Sequence, residues 1–171
     1  MANVNLPLNP TTTFLDFEIA AHNALRRVFP AVNIRGCFFH YTQCIRKKAQ
    51  TNGLKISYQE NDYIDRLVRL AAVRPLVPLD RVEDVWFNAL EELEDADVPC
   101  DTTRFTDYVV THWIEGNKRM WNHHDTEGPR TTNHLEAWHG KLKKNQHSHP
   151  NIYTLIRIFQ EIQAVNEITR I

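Results

Sequence analysis

The sequence has few of the features that mark secreted, membrane-bound or disulfide-rich proteins. Its 171 residues include only three cysteines, an odd number that does not form a disulfide framework and suits a reducing compartment. The first residues have neither the basic segment nor the apolar stretch of a signal peptide, and no apolar run is long enough to cross a bilayer. These absences predict an intracellular protein outside the membrane.

An excess of charge of one sign is also absent. Twenty Lys and Arg residues against 21 Asp and Glu residues give a net charge of −1, so the overall charge neither favours nor excludes nucleic acid as a partner. Any basic surface must therefore be local. Hydrophobic residues make up 42% of the chain, which is enough for the core of one compact domain.

The first 52 residues contain two strand-to-helix patterns. In "TTTFLDFEIAAHNALRRVF", β-branched and aromatic residues give way to helical spacing, and the second pattern has a short strand around residues 34–38 before another helix. Asn52 and Gly53 tolerate the backbone conformation that ends a helix. The predicted inner side of the first helix consists of Phe17, Ala21, Ala24, Leu25 and Val28.

From residue 57 onward the apolar spacing is helical. The segments "YIDRLVRLAAV", "DRVEDVWFNALEELED" and "FTDYVVTHWI" each predict an amphipathic helix, with Asp80 as the N-cap of the second. The segment "WNHHDTEGP" predicts a polar loop. In the closing helix, the residues expected to point inward are Ile152, Leu155, Ile156, Phe159 and Ile162.

The segment "RTTNHLEAWHGKL", residues 130–142, predicts a helix with a single acid, Glu136. Its apolar stripe consists of Leu135, Trp138 and Leu142. On a neighbouring face, Glu136 aligns with Gly140, one turn on, where the missing side chain leaves room for a phosphate or a metal. Glu136 is therefore either a functional acid or an ordinary first-turn acid that complements the helix dipole.

A second carboxylate, Asp16, lies where the first predicted strand runs into its helix. In open α/β folds, binding sites lie at the carboxyl ends of the strands, so Asp16 is a candidate site residue. Asp is also among the best residues for capping a helix, and the sequence leaves this second role equally open.

Two Cys and His spacings are compatible with a zinc ion. Cys37-x-x-His40 is half of a zinc site by spacing, and His134 and His139 can present two imidazoles from one helix. Together these four residues would be the ligands of a structural zinc. The alternative is a buried Cys37 thiol and a hydrogen-bonded His40.

Two short basic clusters stand out against the balanced charge. One consists of Arg46, Lys47 and Lys48, and the other of Lys141, Lys143 and Lys144. The second follows Glu136 and has Trp138 and several histidines nearby, which is typical of a surface that contacts phosphate, and in particular DNA. A basic helix end that only complements the helix dipole is equally common.

Two segments resemble the C-terminal two-thirds of a Mutator-like element (MULE) transposase domain. They are "FLDFEIAAHNALRRVFPAVNIRGCFFHYTQCIRKK" and, after a helical stretch, "WNHHDTEGPRTTNHLEAWHGKLKKNQHSHPNIYTLI". The resemblance covers essentially the whole chain. It implies an α/β, mostly helical fold: an incomplete ribonuclease-H-like core of two β-α units (1–52), a helical insertion (57–118) and C-terminal helices (130–171).

In that family, three acids bind two divalent metals, Mg²⁺ or Mn²⁺, and the protein cuts and joins DNA at transposon ends in the nucleus. The resemblance implies that Asp16 is the second acid, that Glu136 is the third, and that Cys37 and His40 are the family's Cys-x-x-His motif. Two-metal phosphoryl transfer needs carboxylates on both sides of the reacting phosphate.

The family's first acid lies on the opening strand of the sheet, whereas the fifteen residues before Asp16 contain no acid. We therefore expect a partial, transposon-derived domain that is inactive as this chain, with a sheet edge that favours self-association. A domesticated module that binds DNA or protein without catalysis is the alternative.

Overall fold

A computed structural model describes residues 8–96, 98–144 and 151–168, with the side chains of 141–144 and 166–168 left out. The chain forms two compact units, Met1–Thr132 and Asn133–Ile171. The fold is mostly helical with a small parallel sheet, which confirms the α/β, mostly helical class.

The sheet of the first unit has two parallel strands, β1 (Thr12–Leu15) and β2 (Asn33–Gly36). Thr12 pairs with Asn33, and Leu15 pairs with Gly36. Each strand is followed by a helix, α1 (Ile19–Val28) after β1 and α2 (Phe38–Thr51) after β2. The two strand-to-helix units that the sequence predicts are therefore present.

The rest of the first unit is helical wherever it is regular. Its further helices are α3 (Ser57–Glu60), α4 (Asp62–Val73), α5 (Val82–Glu94), α6 (Thr103–Val109) and α7 (Lys118–Trp121). A 3-10 turn, Arg74–Leu76, follows α4, and a π-helical turn, Val110–Ile114, follows α6. Asn61 caps α4, because its Oδ1 accepts hydrogen bonds from the backbone N–H groups of Tyr63 and Ile64.

Aromatic rings join the sheet to the helices. The Tyr41 ring on α2 lies 4.5 Å from the Trp113 ring and 5.3 Å from the Trp121 ring, measured between centroids. Phe17, which follows the end of β1, meets Trp113 edge to face at 4.9 Å. The strand ends are thus packed directly against the helical part of this unit.

A buried arginine lies beside this aromatic cluster. Arg74 is 1% exposed, and its guanidinium lies 4.7 Å from the Trp86 ring centroid and 5.8 Å from that of Trp121. Its Nη2 donates to the Tyr41 hydroxyl, which in turn donates to the carbonyl of Ala71. The positive charge of Arg74 is therefore stabilised mainly by the faces of these aromatic rings.

The segment 121–129 is a loop after Trp121, as predicted, and its first residues, Trp121, Asn122 and His123, are buried. One local expectation is wrong in the first unit. Asp80 does not cap the helix that follows it, because α5 begins at Val82, after Arg81, and no side chain caps it.

The inner side of α1 also differs from the predicted one. Ala24 and Val28 are exposed, and the buried residue of this helix is His22. Ala21 and Leu25 of the predicted side are half-buried, and His22, next to Ala21, is hydrogen-bonded to the backbone carbonyl of Asp16.

The second unit contains α8 (Asn133–Lys144) and α9 (Ile152–Ile168). The ring of Trp138 on α8 stacks on that of Phe159 on α9 at 6.2 Å and an angle of 3°. The inward stripe predicted for α9 is wrong in part, because Ile158 is buried whereas Ile152, Ile156 and Phe159 are exposed. Leu135 of α8 is exposed as well. One partner helix covers only a narrow stripe, which leaves apolar positions on either side of it in water.

Among the residues that the structure describes, no helix has both the length and the apolar character needed to cross a membrane.

Candidate metal centre

Asp16 lies directly after β1, where the chain turns toward α1. The position agrees with the strand-to-helix junction predicted from the sequence. The side chain is half-buried, and its Oδ1 accepts a hydrogen bond of 3.1 Å from the backbone N–H of Glu18. The carboxylate therefore stabilises the turn into α1, and it does so at the carboxyl end of a parallel strand.

The backbone of Asp16 is held by a histidine that the sequence did not single out. Nε2 of His22, a buried residue of α1, lies 2.6 Å from the carbonyl oxygen of Asp16. Because a carbonyl oxygen can only accept, Nε2 carries the proton in this bond. His22 therefore fixes the backbone from which the Asp16 side chain projects.

The carboxylate of Asp16 also acts on the neighbouring helix. The pKa of the Cys44 thiol on α2 is raised, mainly by burial, and the negative charge of Asp16 adds to the increase. The ammonium group of Lys47 opposes this increase. A cation on α2 and the Asp16 carboxylate thus influence the same thiol.

The end of β2 is held in the same way as the end of β1. Nε2 of His123 lies 2.7 Å from the carbonyl oxygen of Gly36, and its backbone N–H donates to the carbonyl of Pro75 at 2.6 Å. The imidazole is stacked on Phe14 with centroids 6.0 Å apart. Burial lowers the pKa of His123, although the bond to Gly36 acts in the opposite direction. A backbone carbonyl at the end of each strand, that of Asp16 just after β1 and that of Gly36 in β2, therefore accepts a hydrogen bond from a buried histidine.

Gly36 itself is required by the packing of these strand ends. A Cβ at this position would lie 2.5 Å from Cε1 and Cζ of Phe17. Because real carbon atoms do not approach so closely, only glycine allows the Phe17 ring to cover the end of β2.

The Cys-x-x-His motif lies at the start of α2. The Cys37 thiol is buried, and its Sγ accepts hydrogen bonds of 3.4 Å from both the backbone N–H and the hydroxyl of Thr132. His40 is half-buried, with its ring 5.6 Å from that of Phe39. These contacts support the buried-thiol alternative for Cys37, and they also leave its sulfur near neutral donors of the kind that surround metal-bound thiolates.

The other predicted site residues lie in the second unit. Glu136 is in the first turn of α8, and it is exposed, as are His134 and His139. Among the described residues, and apart from the backbone of α8 itself, a Cβ on Gly140 would meet no atom within 4 Å. The backbones of Lys141, Lys143 and Lys144 continue the same helix, and their side chains are outside the described residues.

Metal ligands of the kind expected here are hard oxygen atoms. Carboxylates such as those of Asp16 and Glu136 are the oxygen donors that Mg²⁺ and Mn²⁺ prefer, so the donor chemistry fits these ions. Within the described ranges, no three or more His, Cys, Asp or Glu residues are grouped so that they could hold a metal ion.

Sequence reasoning missed the two histidines that hold the strand ends. His22 could have been found from its spacing, because it lies one turn before Leu25 and two turns before Phe29, both half-buried. His123 gave no comparable signal, since its acceptor is 87 residues away.

No protein-family model matches this chain, and no curated protein or solved structure matches it either.

Proposed function

We propose that residues 1–171 derive from a DDE-type transposase domain of the Mutator-like family, with a ribonuclease-H-like core. In this assignment Asp16 and Glu136 are two of its three metal-binding acids, and DNA is its partner in the nucleus. The observation that carries the assignment is the position of Asp16, a half-buried carboxylate directly after a parallel strand. His22 supports it further by fixing the Asp16 backbone.

When bound, Mg²⁺ or Mn²⁺ would activate the attacking oxygen and stabilise the leaving one. The task of the protein residues is to supply anionic oxygen atoms at fixed positions. Metal affinity in oxygen-rich sites depends strongly on the number of anionic ligands, and Asp16 and Glu136 would supply two of the three acids that the family uses. We therefore expect the protein to bind DNA and a divalent metal weakly, without strand cleavage or transfer by itself.

Metal titration of single-residue variants tests the two carboxylates. Mn²⁺ binding to the full chain is measured by calorimetry or by the loss of the free-ion paramagnetic resonance signal. Asp16→Asn and Glu136→Gln should each weaken binding roughly tenfold or more, because each removes an anionic ligand. The control is Glu18→Gln, which removes an exposed carboxylate two residues from Asp16. Binding that is the same in all three variants as in the unaltered protein contradicts the assignment.

A cleavage assay separates the two readings of the function. Supercoiled plasmid incubated with the chain and Mn²⁺ should remain intact. Metal-dependent nicking that disappears in Glu136→Gln would show that the chain is an active nuclease and would overturn the expected inactivity. If neither carboxylate variant changes Mn²⁺ binding while DNA binding persists, the chain is a DNA-binding module without a metal centre.

The lysines after Glu136 have a separate role in this assignment. Lys141, Lys143 and Lys144 are proposed to contact DNA phosphates, so replacing all three with alanine should weaken binding to every duplex sequence alike. The measurement is fluorescence anisotropy with two labelled duplexes of different sequence. A variant that loses one sequence and keeps the other would assign base contacts to these lysines instead.

A further inference from the structure

The cations of the first unit are unevenly distributed along the chain. Residues 19–59 contain seven Lys and Arg residues and no Asp or Glu, whereas residues 60–97 contain eleven acids and four cations. The small net charge of the protein therefore hides a basic segment that is followed by an acidic one. The basic segment includes all of α1, β2 and α2.

Helix α2 has two of these cations, Arg46 and Lys47, on its outer face. Tyr41, Ile45 and Ala49 are buried on the inner face. The exposed residues recur at positions 39, 43, 46, 47 and 50, which form one continuous stripe on a helix. This stripe contains two cations, Arg46 and Lys47, together with two amide side chains, Gln43 and Gln50, and no acid.

Lys55 extends the stripe beyond the end of α2. Arg46 and Lys55 line one shallow cleft together with Tyr58. On the other side of α2, the Lys48 ammonium lies 4.8 Å from the centre of the Tyr108 ring. Cations are thus interleaved with tyrosines here, a combination found where proteins contact nucleic acid.

The exposed cations of this stripe lack the acidic partners that other cations have. Ion pairs join Arg66 to Glu92, Arg69 to Asp65, and Arg81 to Asp84. Lys118 pairs with Glu83, and Arg157 pairs with Glu161. Among the described residues, no ion pair involves Arg46, Lys47 or Lys55. Their charge remains available for an external anion.

We propose that Arg46, Lys47 and Lys55 form a surface on the first unit that binds the phosphate backbone of duplex DNA. We call it the α2 surface. The lysines after Glu136 belong to the second unit and are not part of it. DNA as the partner rests on the proposed function, although the charge pattern alone requires only a polyanion. Amide side chains beside the cations favour phosphate, because they donate hydrogen bonds to its oxygen atoms.

The test compares two triple variants of the full chain that lose the same charge. One is Arg46→Ala, Lys47→Ala and Lys55→Ala, and the matched control is Arg66→Ala, Arg69→Ala and Arg81→Ala, which removes three ion-paired cations. Binding of a labelled duplex is followed by fluorescence anisotropy over a range of salt concentrations, without divalent metal. Circular dichroism melting shows whether both variants fold.

The α2 variant should lower the slope of log affinity against log salt by about 2–3, because each lost phosphate contact removes about 0.9 from it. At low salt this corresponds to a roughly 10- to 100-fold loss of affinity. The control should change affinity by less than about threefold, since its cations are already neutralised by acids. Equal losses in both variants would mean that only net charge matters, and would overturn the α2 surface.

Two further outcomes distinguish this surface from the proposed function. If the Lys141, Lys143 and Lys144 variant abolishes DNA binding while the α2 variant binds like the unaltered protein, the α2 surface is wrong. If the unaltered protein ignores duplex DNA but binds polyglutamate through the same three residues, the partner is an acidic protein and DNA is excluded. Because no metal is added, a failure of Asp16 or Glu136 to bind Mn²⁺ leaves all these outcomes unaffected.

Discussion

His22 lies six residues after Asp16 and donates a hydrogen bond of 2.6 Å from Nε2 to the Asp16 carbonyl oxygen. The bond joins the first turn of α1 to the residue directly after β1. It therefore holds the backbone of a candidate metal ligand without using that ligand's own side chain. Such support from a neighbouring residue is typical of sites that need a fixed geometry.

Replacing His22 should destabilise the protein measurably. His22→Ala leaves the Asp16 carbonyl without its buried donor, so we expect the free energy of unfolding to fall by about 1–3 kcal/mol. Urea unfolding measures it, and Asn23→Ala, at an exposed neighbouring position, is the control. If both variants lose the same stability, the bond has no particular role.

The free energy of unfolding should decrease as the pH is lowered below about 6.5, the ordinary pKa of histidine, and His123 should contribute to this decrease. Burial lowers its pKa in the folded state, so the unfolded chain takes up a proton before the folded chain does. The stabilisation is complete above the unfolded pKa and is lost as the pH falls toward the folded one, at up to about 1.4 kcal/mol per pH unit.

His123→Gln provides the comparison for this pH dependence. Glutamine retains an N–H donor but does not titrate, so the variant should unfold with a flatter dependence on pH below about 6.5. The other histidines are common to both proteins, and their contribution cancels in the difference. Parallel curves for the two proteins would show that His123 does not contribute.

Gly36→Ala should be destabilising because of a single neighbour. The new Cβ would lie 2.5 Å from two atoms of the Phe17 ring, so the ring must move, at a cost of about 1–3 kcal/mol. Leucine lacks those two ring atoms. In a Phe17→Leu background the glycine change should therefore cost clearly less, and a double-mutant cycle measures the difference. Additive effects would mean that the clash is relieved elsewhere.

Gly140→Ala, unlike Gly36→Ala, should increase the stability of the protein. In the described part of the chain, no atom outside the α8 backbone lies within 4 Å of the position a Cβ would take, so Gly140→Ala should stabilise α8 by about 0.5–1 kcal/mol. If a phosphate approaches this backbone, the same change should reduce DNA affinity several-fold. Thermal melting and anisotropy on one variant measure both effects. Higher stability with unaltered DNA affinity would leave Gly140 with no role beyond the helix.

Metal analysis decides the role of Cys37. Its sulfur accepts two hydrogen bonds from Thr132, so we expect a structural thiol and a zinc content well below one per chain in protein purified without chelator. One zinc per chain, lost in Cys37→Ser and in His139→Ala, would instead establish the site formed with His40 and His134.

The local elements of the first unit were largely predictable. The change from alternating to helical spacing located β1, α1, β2 and α2, and it placed Asp16 at a strand end. Boundaries were less certain: the single helix predicted over residues 105–114 is an α-helix, Thr103–Val109, followed by a π-helical turn. An extra residue per turn changes backbone hydrogen bonding without changing the amphipathic pattern from which the helix was predicted.

Sequence alone determined which segments are helical or extended, because apolar periodicity depends only on residues a few positions apart. Tertiary structure decided which polar side chains are buried. His123 is buried because the carbonyl of Gly36, from a distant segment, accepts its hydrogen bond. Arg74 is buried because the rings of Trp86 and Trp121 pack against its guanidinium. A buried polar group is tolerated only where the folded chain brings hydrogen-bonding or aromatic partners to it. The spacing of apolar residues along one segment does not show where those partners come from.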